Sequence, residues 1–145
     1  MPAQTARSQA NHSDAVILCV DDDDIILDIV RLTLEKNGFS VVTANNWRSA
    51  LDAFKSNLID LVMLDYEMPE MKGHEVAVWI RSVDPTVPII LHSGSPNIPD
   101  IATRTVDALL PKGVETHILV AAISDLIMKS RMGRMPPPAI GFLSS

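Results

Sequence analysis

The sequence predicts an α/β domain: a doubly wound five-stranded parallel sheet with helices on both faces. Two observations predict it. Short apolar runs alternate with segments of helical periodicity five times along the chain, the pattern of strands covered on both faces. Three of those runs also end on acids or a hydroxyl, as the polar edge of such a sheet requires. The chain has 145 residues, 47% of them hydrophobic, which suffices for one core.

The elements follow in order. Residues 15–20 form the first apolar run and end at acids. Residues 24–37 carry Ile26, Ile29, Val30, Thr33 and Leu34 at helical spacing, with Asp24 as the expected cap and Gly38 as the stop. Phe39–Thr43 reads as a second strand. Asn46 is placed to cap a helix that turns Trp47, Ala50, Leu51 and Phe54 inward. Leu61–Leu64 is a third strand and runs into Asp65. A loop with Pro69 and Gly73 precedes a helix over 73–82 presenting Val76, Ala77 and Ile80. A fourth strand starts at Pro88 and ends at His92-Ser93-Gly94. The segment 96–104 is a weakly patterned helix, and Ala108–Leu110 a short fifth strand. A last helix spans 114–130, with Ile118, Ala121, Ala122 and Leu126 inward and Asp125 outward. Gly133 and Pro136–Pro138 are expected to stop it. The resulting organisation is a polar tail over 1–14, one domain over 15–131 and a Pro-rich tail over 132–145.

Composition excludes several classes. Acids outnumber bases 18 to 12, which argues against direct nucleic-acid binding. The single Cys19 lies in an apolar run and reads as a buried structural thiol. No segment approaches a membrane span, and the first 14 residues hold no apolar signal core; the expected location is cytoplasmic.

Right-handed crossovers bring the C-terminal ends of all strands to one edge. Asp21 and Asp22 follow the first strand, Asp65 ends the third, Ser93 the fourth, and Lys112 lies just past the fifth. Singly, each has an ordinary explanation: acids favour a first helical turn, and loop hydroxyls and lysines are commonly solvated. Their joint placement at successive strand ends argues for a site. Gathered carboxylates repel unless a hard cation joins them. The expected ion is Mg2+, with Asp22 and Asp65 as direct ligands, Asp21 acting through water, and the Glu67 carbonyl adding an oxygen. Asp65 is the expected nucleophile toward phosphorus. Lys112 and the Ser93 hydroxyl would meet the phosphoryl oxygens, with Gly94 leaving room. His92 reads as structural.

These residues resemble the receiver domain of bacterial-type two-component response regulators. The matching pieces are Ile17-Leu18-Cys19-Val20-Asp21-Asp22-Asp23, Leu61-Val62-Met63-Leu64-Asp65-Tyr66-Glu67-Met68-Pro69-Glu70-Met71-Lys72-Gly73, Pro88–Gly94 and Asp107–Lys112. The resemblance covers about residues 15–130 and implies the flavodoxin-like strand order 2-1-3-4-5. It implies phosphoryl transfer from a histidine kinase or phosphotransfer protein onto Asp65, with slow self-dephosphorylation tuned near Glu67 and Ser95, and no conventional enzymatic turnover. It also implies a switched surface over 96–130 for a downstream protein or a second copy. Two departures stand out. Leu109 occupies a place usually aromatic, and Gly113 follows Lys112 where proline is common, so a trans peptide is expected there. These departures motivate the alternative of a non-phosphorylated interaction module. A phosphatase of another α/β class is disfavoured, because Glu67 stands where such enzymes carry a second Asp.

Overall fold

The computed structural model describes residues 15–134. Five strands, β1 (Val16–Val20), β2 (Ser40–Ala44), β3 (Leu61–Asp65), β4 (Ile89–Ser93) and β5 (Ala108–Pro111), alternate with five helices. The helices are α1 (Asp24–Lys36), α2 (Trp47–Ser56), α3 (Gly73–Val83), α4 (Asp100–Thr105) and α5 (Thr116–Arg134). All strand pairs are parallel, and the sheet order is β2-β1-β3-β4-β5. The fold expectation holds in both architecture and order.

Alternation along the strands divides the core. Ile17, Cys19, Leu61, Met63 and Ile90 pack against Leu27 and Leu34 of α1 and Leu119, Ile123 and Ile127 of α5. Leu18, Val20, Val62, Leu64 and Leu91 pack against Ala50 and Phe54 of α2, Val76 and Ile80 of α3, and Ala102 of α4. Cys19 is buried, as expected. Burial, and then the neighbouring Asp21, push its thiol up to about 12, so it is an inert core group.

Local chemistry sets the helix starts. Asp23, not Asp24, caps α1: its carboxylate accepts from the Ile25 and Ile26 amides at 2.9 and 3.3 Å. Asp24 instead begins the helix, and its carboxylate accepts from the Asn45 side chain. Gly38 follows with φ 93°, a left-handed turn that glycine adopts without strain. Asn46 caps α2 as expected, accepting from the Ser49 amide at 2.9 Å. At α3 the Glu75 carboxylate reaches back to the Lys72 amide at 2.8 Å.

Two helix faces are rotated from expectation. In α1, Leu27 and Leu34 are buried and Ile29 is 59% exposed. In α5, Leu119, Ile123 and Ile127 are buried, while Ile118 and Ala121 face outward. Both helices carry apolar residues on adjacent stripes, so periodicity alone could not choose the inner one. Trp79 on α3 is also largely exposed. The 96–104 segment contracts to the six-residue α4. Helix α5 passes through Gly133 to Arg134, longer than expected: one glycine costs a helix only about 1 kcal/mol. The tail over 1–14 and the prolines at 136–138 lie outside the described residues.

Candidate functional site

Strand register assembles the site. Val20 of β1 pairs with Leu64 of β3, so Asp21 emerges beside Asp65. Asp65 pairs with His92, and Ser93 with Pro111, so Lys112 enters from the far side. The Lys112 amide donates to the Ser93 carbonyl at 2.9 Å and locks that last step.

The side chains then converge. Carboxylate oxygens of Asp21, Asp22 and Asp65 lie within 4.8 Å of one another. Lys112 Nζ bridges two of them, 2.9 Å from Asp21 Oδ2 and 3.1 Å from Asp65 Oδ1. Asp21 and Asp65 are buried, while Asp22 is exposed. Backbone amides complete the shell: Asp23 donates to Asp21 Oδ1 at 2.9 Å and Glu67 to Asp65 Oδ1 at 3.3 Å.

Burial, and then the charge of Asp21, push the Asp65 carboxyl up to about 6, against the pull of Lys112. Burial alone would lower the Lys112 pKa, but its bonds to Asp21 and Asp65 prevail and raise it. The cluster thus holds more negative than positive charge in a buried place. Its donors are carboxylate oxygens with no sulfur or imidazole among them, a set that fits a hard divalent cation.

The remaining expected residues sit at the rim. Ser93 is buried at the end of β4, and its Oγ accepts from the Ser95 amide at 3.0 Å. Ser95 Oγ accepts in turn from the Asn97 amide at 3.3 Å. The Glu67 carboxylate turns away to Lys72 Nζ at 2.7 Å, so only the backbone of Glu67 borders the cluster. A side chain at Gly94 would meet Lys112 Cδ at an ordinary 3.9 Å, so space does not demand glycine there. No described peptide bond is cis, which agrees with the expected trans link before Gly113. Leu109 is partly exposed.

Three contributors have roles whose cause was not legible in the sequence. Gly73, named above only by its place in the loop, is the first: a Cβ there would overlap the Asp65 carbonyl oxygen, so α3 can begin against the loop after Asp65 only with glycine. Arg81 is the second. Its guanidinium donates to the carbonyls of Thr105, Pro85 and Val87 and to Asp107 Oδ2 at 2.7–3.2 Å. It ties α3 to the end of α4 and the start of β5. Asp107 Oδ2 also accepts from the Ile89 amide at 2.8 Å. Asp60 is the third; its Oδ2 accepts from the Val16 amide at 2.8 Å and pins the start of β1. An acid at the start of a strand gives no periodic signal, so only the partners reveal these roles.

Comparison with known proteins agrees with this geometry. The response regulator receiver domain family model matches residues 17–129. The Escherichia coli K12 transcriptional regulatory protein GlrR is 35% identical over 83% of the chain, which spans 28% of GlrR. The response regulator MprA of Mycobacterium sp. strain KMS is 32% identical over 88% of the chain, which spans 57% of MprA. The chain therefore covers about a quarter to a half of these relatives. Among solved structures, the Thermotoga maritima response regulator TrrA, crystallised with Mg2+ and BeF, superposes with a TM-score of 0.73 at 33% identity. That match covers 77% of this chain and 98% of TrrA. A CheY-like receiver from Methanospirillum hungatei gives a TM-score of 0.78 at 25% identity, covering 83% of this chain and 99% of its own. With sequence, strand order and acidic edge all in agreement, the chain belongs to the response regulator receiver domain family.

Proposed function

We propose that this receiver domain is a phosphoacceptor, and that Asp65 takes a phosphoryl group from the phosphohistidine of a histidine kinase or phosphotransfer protein. The observation that carries the reading is the buried cluster of Asp21, Asp22 and Asp65 bridged by Lys112 Nζ. An Asp65 oxygen forms the new O–P bond as the donor's N–P bond breaks, and the imidazole departs. Lys112 and the Glu67 amide hold Asp65 Oδ1 and so fix the rotation of the attacking carboxylate. Lys112 then neutralises charge on a phosphoryl oxygen. Mg2+, held by Asp22, Asp65 and the Glu67 carbonyl, and by Asp21 through water, would supply further positive charge for the phosphoryl oxygens. Water later cleaves the acyl phosphate slowly, at a rate tuned by Glu67 and Ser95.

The switch starts at Ser93. Its hydroxyl turns to donate to the bound phosphoryl group and releases the Ser95 amide that it now holds. The Ser93–Ser95–Asn97 relay then loosens. Because Arg81 holds Thr105 at the far end of α4, the start of α4 moves most. The surface over 96–130 thereby changes its fit for a downstream protein or a second copy. Among the described residues no helix is long and apolar enough to cross a membrane.

A second reading, an interaction module that is never phosphorylated, is favoured by Leu109, which offers no ring to bury on activation. Intact mass after incubation with acetyl phosphate and Mg2+ separates the two. The acceptor reading requires one phosphoryl adduct in the wild type and none in Asp65→Ala; a wild type that stays unmodified overturns it.

A further inference from the structure

We propose that an apolar patch at the ends of α2 and α3 is a docking surface for the chain's own C-terminal segment, residues 135–143. The patch lies at the sheet edge opposite the acidic cluster. Three side chains mark it: Leu58 is 93% exposed, Trp79 54% and Val83 50%. The fold puts them on one flank. Helices α2 and α3 are neighbours, and both end at this edge, α2 at Ser56 and α3 at Val83. Arg81 reaches Thr105 and Asp107 on the α4–β5 side. Trp79 and Val83 each stand two residues from Arg81, about 200° round the helix, and so turn to the other flank, toward α2. Leu58 sits in the loop that leaves α2. A tryptophan and a nearly bare leucine on the same flank form a surface that calls for cover.

The exit of the chain selects the occupant. Arg131 of α5 pairs with Asp60 Oδ1 at 3.6 Å, and Ser130 Oγ donates to the Thr86 carbonyl at 3.2 Å. Asp60 follows Leu58 in one loop and Thr86 follows Val83 in the next. Helix α5 therefore delivers the chain, at Arg134, beside the two loops that bear the patch. The sequence beyond it holds Pro136–Pro138 and then Ile140, Phe142 and Leu143, with no charged side chain. Three prolines bar a helix and favour an extended course, which leaves less freedom to lose on docking. At about 3.1 Å per residue, Phe142 can reach about 25 Å from Arg134. Val83 lies within about 11 Å of Thr86, and Trp79 about 6 Å farther, a distance inside that reach. In an extended course Ile140 and Phe142 point to one side, so both can enter the patch together. Docked, the segment ties α5 to the α2–α3 side across the edge of the sheet.

The test uses the full-length, isotopically labelled chain with a nitroxide on Ser144→Cys and no phosphodonor, so its outcome is independent of phosphorylation at Asp65. Cys19 is buried and its thiol is pushed up to about 12, so only the new thiol is modified. NMR is expected to show the Trp79 indole and the Leu58 and Val83 methyls broadened, with the Ile29 and Leu109 methyls sharp. Phe142→Ser in the segment and Trp79→Gln in the patch should each lower the docked fraction several-fold, read at Leu58. Nitroxide-bearing chain without isotopes, mixed with isotopically labelled chain without nitroxide, should broaden nothing. Weak broadening spread evenly over the surface, broadening centred on another face, broadening unchanged by Phe142→Ser, or broadening in the mixed sample, which signals a second copy, would overturn the assignment.

Discussion

The acidic edge and the segment from Gly94 to Thr105 are neighbours built on opposite terms. At the acidic edge, Asp21 and Asp65 are buried and each takes a bond from Lys112 and another from a backbone amide. In the neighbouring segment, two serine oxygens hold the loop, Ala102 alone anchors α4 in the core, and α4 has no side-chain cap. One region spends stability to hold charge in place; the other is held weakly enough to rearrange. The proposed phosphorylation switch would need both, because a localised charge does work only on something it can move.

The largest expected effect breaks the first region. Lys112→Met leaves two buried carboxylates facing each other and should destabilise the metal-free domain by about 3 kcal/mol at pH 7. The loss should shrink as acid protonates Asp65. Urea melts at pH 5 and pH 7 with EDTA measure it; a pH-independent loss would show that Lys112 acts by packing alone.

Asp65→Asn should act in the opposite direction. A carboxyl raised from 3.8 to about 6 in the fold binds its proton more tightly folded than unfolded. Its stabilising effect is full below about pH 4 and is lost as pH rises through about 6. At pH 7 the ionised form therefore costs about 3 kcal/mol, at about 1.4 kcal/mol per pH unit. Removing it should raise metal-free stability by up to that amount and flatten the profile between pH 4 and 6. Mg2+ should stabilise the wild type and not Asp65→Asn, as read by melting temperature.

Arg81→Met sharpens the second region. It removes bonds to three carbonyls and Asp107 and should cost about 2 kcal/mol. Hydrogen exchange should rise first over 101–107, while acetyl phosphate still modifies Asp65. The smallest effect is expected from Ser95→Ala, which deletes only the acceptor for the Asn97 amide. Global stability should fall by less than about 1 kcal/mol, with faster exchange confined to 95–99. Protection lost evenly across the sheet in either variant would show that the two regions are not separable.

The inner stripes of α2 and α3 met expectation where those of α1 and α5 did not. Ala50 and Phe54, and Val76, Ala77 and Ile80, became the buried faces, although α3 also carries Val78, Trp79 and Val83 in solvent. In α1, Ile25, Ile29 and Leu32 form a second stripe that competes with Leu27 and Leu34, and it stays in solvent. The acidic residues were legible because each follows an apolar strand and so inherits its place at the sheet edge. The roles of Arg81 and Asp60 were not, since Thr105, Asp107 and Val16 lie far along the chain and obey no period; the approach of Gly73 to Asp65 was not, since it depends on how the loop between them folds back.

By itself, the sequence determined the alternation of strands and helices, the edge where acids gather, and the identity of Asp21, Asp22, Asp65, Ser93 and Lys112 as the residues that meet there. These follow from local periodicity and the handedness of crossovers, which act within one or two elements. Only tertiary structure decided which helix stripe turned inward, that Lys112 bridges Asp21 and Asp65, and that Arg81 clamps the end of α4. Those outcomes depend on packing and desolvation summed over several elements at once, and no single stretch of chain contains that sum.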